Sequence, residues 1–424
     1  MNHSTVVVAG GGIAGLRTAE RLAAADFQVT LYEREPTLGG RVRSVREGPY
    51  RFDRGFQVLL TAYPAVQNVL DLDALDLRRF PPGATLCRPN HRVTVADPVR
   101  APRTFFETAF ASDLTVGDKV RIVSLRRELR GRSVDDMFTG PDQSILDYLR
   151  DRGFSDRFVR RFAAPFYGGI TLDRSLATSK RIFEYTFKML SEGYAAVPAD
   201  GMGAITAQLA DAAREAGVSI ETRTPVQGVE STGDGVSVTV DGRTVEADAA
   251  VVATDPPTSA ELTDIESIPT TGKGCVTQYL SLPSGNPIES QRFIMVNSVG
   301  EVPNQIAPIG VVAPEYAPDD EILLSATSLG DPQYTPDELF EQTRSTLASW
   351  YPEASFTSLS LKKTIRCPFA QFSQPPGVHE SLPNVTDPDG SVYLAGDYTH
   401  DSSINGAIES ATTAARAVVR DLEE

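Results

Sequence analysis

Near the start of the chain the apolar positions change period twice. Thr5-Val6-Val7-Val8-Ala9 is a continuous β-branched run of the kind that fills a buried parallel strand, and it stops at Gly10-Gly11-Gly12-Ile13-Ala14-Gly15. Ile13 to Ala25, rich in Ala and Leu with apolar residues at helical spacing, predicts a helix, and Gln28-Val29-Thr30-Leu31-Tyr32 predicts a second strand ending on Glu33. Strand, GxGxxG turn, helix, strand and acidic residue in this order are the full context of a dinucleotide-binding unit. Gly10 permits the tight turn, Gly12 lets backbone approach a pyrophosphate, and Gly15 lets the helix pack on the strand. The helix start at Ile13 and Ala14 presents free N–H groups and a positive dipole end to phosphate, while Glu33 can accept hydrogen bonds from ribose hydroxyls.

Two distant stretches carry related patterns. In the middle, Tyr194 to Gly203 precedes a predicted helix of about Ala204 to Ala216 and an extended run Val218 to Val226. A hairpin follows, Val236–Val240 against Arg243–Ala247 with Asp241-Gly242 as the turn, and then a strand Ala249–Thr254. Near the C-terminus Ser391 to Asp397 reads as a strand ending in Gly396-Asp397, and Gly406 to Ala411 opens a last helix with Asn405 as its expected cap. Residues 100–190 read as mostly helical and Arg-rich, interrupted at Pro165-Phe166-Tyr167-Gly168-Gly169-Ile170, where a break is predicted. Residues 272–365 read as strands with long loops around a helix Pro336–Trp350.

Composition narrows the partners. A net charge of −16 argues against nucleic acid and against an anionic membrane surface, both of which require a basic face. No apolar run approaches the ~18 residues of a membrane span, and the early first strand leaves no room for a signal peptide, so a cytoplasmic location is expected. Cys87, Cys275 and Cys367 are widely spaced and form no CxxC pair, which predicts neither a disulfide framework nor a zinc site. The histidines His3, His91, His379 and His400 are scattered, with no nucleophile or metal spacing; His400 alone lies near a cofactor motif.

The continuation Glu33-Arg34-Glu35-Pro36-Thr37-Leu38-Gly39-Gly40-Arg41 resembles the GGR signature of the FAD-dependent amine oxidase, protoporphyrinogen oxidase and phytoene desaturase superfamily. Phe52-Asp53-Arg54-Gly55-Phe56-Gln57-Val58 and the closing Gly396-Asp397 segment resemble further motifs of that family. The resemblance implies an α/β fold: a Rossmann-like FAD-binding domain assembled from residues 1–62, 194–265 and 385–424. It also implies a mixed-sheet, α+β substrate domain from 63–100 and 266–384, and a helical subdomain from 101–193. It implies FAD held non-covalently by Gly10, Gly12, Ile13, Ala14, Gly15, Glu33, Arg34, Gly39, Gly40 and Arg41. Further contacts are implied from Gly55, Phe56, Gln57, Val58, Val226, Gly396, Asp397, Ile404, Asn405, Gly406 and Ala407. Tyr167, Phe369, Phe372 and Tyr398 are the aromatic candidates for the substrate pocket. Cys367 lies near, but off register from, the point where some amine oxidases attach flavin covalently.

The activity implied is an FAD-dependent dehydrogenase, desaturase or oxidase that transfers a hydride from a small-molecule apolar or cyclic substrate to flavin N5, with oxygen, quinone or another compound as acceptor. No catalytic side chain is assigned beyond His400 as a candidate for proton handling, no metal is expected, and the sequence is silent on oligomeric state. Two other readings share the motifs: a flavin-dependent isomerase without net redox, and a non-catalytic prenyl-binding protein of the GDP-dissociation-inhibitor type.

Overall fold

The computed structural model describes residues 4–97, 100 and 114–423; His3 and the first part of the expected helical stretch, 101–113, lie outside the described residues. A five-stranded parallel sheet has the order Ser219–Thr222, Gln28–Glu33, Thr5–Ala9, Ala249–Val252 and Val392–Leu394. Its strands therefore come from the three separated stretches that carry the sequence motifs. The central strand is apolar on both faces because both are covered. Val6 and Val8 share a core with Leu16, Leu22, Ala411 and Val418 of the helices Ile13–Ala23 and Ile404–Glu423. Val7 faces the other way, onto Val236, Val238 and Val240 of a three-stranded antiparallel sheet. The expected hairpin is present in the expected register, with Val240 opposite Arg243.

The second large sheet has seven strands, ordered Ser360–Phe372, Gly272–Pro283, Glu321–Leu329, Gln305–Ala307, Ile294–Asn297, Gly83–Arg88 and His91–Ala96. It is mixed, since Ile294–Asn297 pairs in parallel with Gly83–Arg88. The helix Pro336–Trp350 starts at a Thr335 capping box and buries Leu347 and Trp350 in a core of its own with Leu280, Leu282 and Leu324.

The helical stretch comprises Val116–Arg130, Ile145–Asp151, Ala164–Thr171 and Lys180–Glu192. The break expected at Pro165–Ile170 is absent. A π-turn at Val159–Ala163 leads straight into Ala164–Thr171, and Pro165 sits in that helix's first turn, where a proline's missing N–H is tolerated. The glycines serve packing instead: a Cβ on Gly168 would stand 3.0 Å from Arg174 Cα, and one on Gly169 would stand 2.6 Å from Gln305 Oε1. The Arg-rich faces are ion-paired, Arg126 to Asp97 at 2.8 Å and Arg132 to the buried Glu184 at 2.9 Å. Among the described residues no helix is long and apolar enough to cross a membrane, and no cluster of potential metal ligands occurs.

Candidate active site

The glycine turn is fixed by how little space surrounds it. A Cβ on Gly15 would lie 1.9 Å from Gly10 O, and one on Gly10, whose φ is +110°, would lie 2.6 Å from Ala253 O. Gly12 is the opposite case, with open space where its Cβ would be. The helix Ile13–Ala23 has no side-chain cap at Gly12, so its first N–H groups, at Ile13 and Ala14, are not satisfied by a capping side chain. Glu33 does not reach freely outward. Its carboxylate accepts from Gly11 N at 2.7 Å and Glu35 N at 2.8 Å, fastening the second strand's end to the turn. Arg34 is exposed and pairs with Asp255 at 3.3 Å.

The other cofactor segments converge here through backbone bonds. Gly39 N donates to Gly11 O at 2.8 Å, and Thr224 N donates to Glu33 O at 2.9 Å, which brings Val226 beside the acidic strand end. Arg41 reaches across to the buried Asp397 at 2.6 Å, joining the first segment to the last. Arg54 donates to Gly40 O at 3.1 Å and Gln57 Nε2 to Arg41 O at 2.9 Å, so the Gly55-Phe56-Gln57-Val58 run lies against the GGR run. Phe56 and Val58 pack half-buried on the main core.

At the C-terminal end, Gly396 N donates to Ser410 Oγ at 2.9 Å, and Ser402 Oγ donates to Asp397 Oδ2 at 3.0 Å. The last helix begins at Ile404, so Asn405 is within it and is not its cap. Ser403 caps it, accepting from Gly406 N at 2.9 Å, while Ala407 N bonds to Ser403 O at 3.0 Å. Asn405 is buried and its Oδ1 accepts from Ala65 N at 2.9 Å, holding the short helix Pro64–Val69.

The aromatic candidates separate. Tyr398 is fully buried in the core beneath the parallel sheet, its hydroxyl donating to Val252 O at 3.2 Å, and Phe372 shares that core. The physical reason is direction. Both side chains fall on the face of their segments turned toward the valines of the small sheet. Phe369 lies half-buried over Gly272, and Tyr167 is buried against Phe183 at a centroid distance of 4.5 Å.

Two groupings appear only in the structure, although His400, a member of the second, is already a candidate from the sequence. Asp53 is 3% exposed; Met202 N and the Tyr316 hydroxyl each donate to its carboxylate at 2.9 Å, and the Tyr279 hydroxyl donates to its carbonyl at 3.0 Å. Burial pushes its carboxyl above the ordinary range against those hydrogen bonds. The available signal was an acid inside the Phe52–Val58 motif. The second group surrounds Phe138, whose ring meets His379 at 5.1 Å, Tyr185 at 5.6 Å and His400 at 6.0 Å, with Tyr63 stacked on Tyr185. Neither ring nitrogen of His379 has a hydrogen-bond partner, and burial draws its pKa down to about 4. Burial also works against the charge of His400, but its 2.8 Å bond to the buried Asp401 and that carboxylate's charge raise it above the ordinary value.

A family model described as flavin containing amine oxidoreductase matches residues 13–419. The chain belongs to that family. FAD is its cofactor and oxidoreduction its class of chemistry. The open space at Gly12, the uncapped helix start and the Arg41–Asp397 pair fit such a dinucleotide. Among curated relatives, protoporphyrinogen oxidase 2 of Arabidopsis thaliana is 27% identical over 39% of this chain and 32% of its own length. Phytoene dehydrogenase of Streptomyces griseus is 30% identical over 61% of this chain and 55% of its own. The chain thus matches about a third and about half of those relatives' lengths. A solved structure of a putative protoporphyrinogen oxidase from Exiguobacterium sp. 255-15 superposes with a TM-score of 0.74 over all of both chains at 18% identity, a likeness of fold.

Proposed function

We propose that this flavoenzyme removes a hydride from an apolar or cyclic organic molecule, with FAD bound non-covalently and oxygen, a quinone or another compound as final acceptor, in the cytoplasm. Bound flavin supplies the two-electron chemistry; the protein binds, orients and excludes water. The observation that carries the substrate class is a ladder of rings through the helical region. Phe154 stacks on Phe158 at 4.5 Å, Phe158 meets Phe162 at 5.3 Å, and Phe162 stacks on Phe166 at 5.3 Å. The ladder continues through Tyr167 to Phe183, and Phe162 and Phe166 are half-exposed. A π-turn, a feature frequent at functional sites, lies within it. Such a wall offers dispersion and apolar area but few polar anchors, which favours a large, weakly polar substrate over a small charged amine. The relatives named for protoporphyrinogen and phytoene are in keeping with this. Of the aromatic candidates, Tyr167 and Phe369 are retained for the substrate side.

The cofactor-contacting residues proposed are those of the Gly10–Gly15, Glu33–Arg41, Gly55–Val58 and Gly396–Ala407 segments, with Val226. The test is anaerobic bleaching of the flavin band by a panel of amines, porphyrinogens and polyenes, followed by reoxidation with oxygen or quinone. Bleaching by a polyene or porphyrinogen with a product two hydrogens lighter is the expected result. Bleaching by small amines alone, or a product of unchanged mass, overturns the reading.

A further inference from the structure

Cys275 and Cys367, remote in sequence, are directly opposed on the neighbouring antiparallel strands Gly272–Pro283 and Ser360–Phe372. Opposed residues of such a pair have Cα atoms about 4.5–5.5 Å apart, inside the roughly 4.4–6.8 Å that a disulfide spans. Both thiols are free and both residues 8% exposed. Their sulfurs point at one spot: Cys367 Sγ is 3.7 Å and Cys275 Sγ 4.0 Å from where a Cβ on Gly55 would be. Cys367 Sγ also lies 3.6 Å from Arg54 O. Thiols so placed are polarised. Contact with the Cys275 thiol, and then the charges of Arg54 and Arg43, hold Cys367 below the ordinary thiol value despite burial. The same contact, followed by burial, pushes Cys275 up. With the charges of Arg54 and Arg43 beside it, Cys367 is the better placed of the pair to act as a thiolate. Backbone next to each cysteine, Gly274 and Pro368, lines a cavity of about 480 Å³ that also touches Asp173 and Lys273.

We propose that Cys275 and Cys367 are a redox modification site: hydrogen peroxide converts them to a reversible cross-strand disulfide that alters how the Arg54–Gln57 segment meets the cofactor. The Cys367 thiolate attacks one peroxide oxygen, the O–O bond breaks, and a sulfenic acid and hydroxide form. Cys275 sulfur then attacks the Cys367 sulfur, the S–O bond breaks, and the departing hydroxyl leaves as water with the Cys275 proton. Two thiols lose two electrons and two protons, and the peroxide is reduced to two waters. A small dithiol reverses the bond by exchange. Forming it draws Cys367 Sγ toward Cys275 and away from Arg54 O, which also accepts from Gln57 Nε2 at 3.3 Å. That same amide holds Arg41 O, and the Arg54 guanidinium holds Gly40 O, so the change is passed to the cofactor segment by two hydrogen bonds.

The experiment treats the purified holoprotein with hydrogen peroxide, blocks remaining thiols under denaturing conditions and maps the peptides, while flavin absorption and fluorescence are followed. The expected result is loss of two of the three thiols, a Cys275–Cys367 linked peptide two hydrogens lighter, a shifted flavin spectrum, and reversal by dithiothreitol. Cys275→Ser should stop at a Cys367 sulfenic acid that dimedone traps, and Cys367→Ser should slow peroxide consumption about tenfold or more. Cys87, fully buried with its thiol pushed up by desolvation, should stay reduced throughout. Three thiols surviving excess peroxide, linkage through Cys87, or over-oxidation without a linked peptide overturns the site. A linked peptide with an unchanged flavin spectrum overturns its coupling to the cofactor. The wild-type peptide map decides the question even where a variant fails to fold.

Discussion

Between Gly10 and Arg41 the molecule is shaped by its backbone; between His379 and Asn405 it is shaped by buried side chains. The first region works by excluding Cβ atoms, so Gly10 and Gly15 are locked against their neighbours while Gly12 is left open. The second works by burial: Asn405, Asp401 and Tyr185 are 3%, 2% and 1% exposed, and the neighbouring His379 has no partner for either nitrogen. A backbone site tolerates changes of side-chain chemistry but not of volume. A side-chain site is the reverse.

The sharpest way to break this contrast is Gly15→Ala. Its new Cβ would meet a carbonyl oxygen at 1.9 Å, and backbone cannot swing away as a flexible side chain can. We expect a loss of about 3 kcal/mol or more of stability and a protein that purifies without yellow colour. Flavin absorbance and thermal unfolding measure both, and a stable yellow variant would show that the turn has more room than these contacts allow. Next in size is Asp397→Ala, which strips the buried end of the Arg41 pair. Removing one partner costs about 2 kcal/mol at a site where the guanidinium side chain is 30% exposed, and FAD retention should fall roughly thirtyfold on dilution. Retention equal to the wild type would mean that Arg41 holds its place without Asp397.

What the sequence made legible follows the same division. Strand, turn, helix and acid lie in one run, and each is encoded by period and glycine placement, so the first region could be read directly. The Asp53 hub could not, because its partners Met202, Tyr279 and Tyr316 are brought in by the turn before the helix Gly203–Glu215, a strand of the seven-stranded sheet and the 3-10 turn Pro314–Tyr316. The burial of Tyr398 and Phe372 was not legible either, because an aromatic near a cofactor motif carries no mark of which face it will take. The cysteines looked unrelated for a similar reason: only the register of Gly272–Pro283 against Ser360–Phe372 opposes them. The helix start at Ser403 was displaced to Asn405, a small error of position that inverted the role of the asparagine from cap to tether.

The smallest effect separates the two histidines around Phe138, and their signs are opposite. His379 is depressed to about 4, first by burial and then by Arg181 and His400, with Asp401 and Asp142 opposing. A histidine held neutral in the fold contributes stability above its ordinary value near 6.5, and that stability is lost as pH falls toward about 4 while the unfolded chain takes up the proton. His400 is raised, so its contribution is complete below the ordinary value and disappears as pH climbs through the raised one. His379→Phe should therefore remove part of the acid instability, on the order of 1–2 kcal/mol near pH 4 given its partial exposure, and change little near pH 8. His400→Ala should lower the melting temperature most below the ordinary histidine value near 6.5, and progressively less as pH rises through the raised value. Melting curves of the two variants across that range either cross in this sense or refute the assignment. If both lose stability only at acid pH, His379 has found a partner that this arrangement of Phe138, Arg181 and Asp142 does not provide.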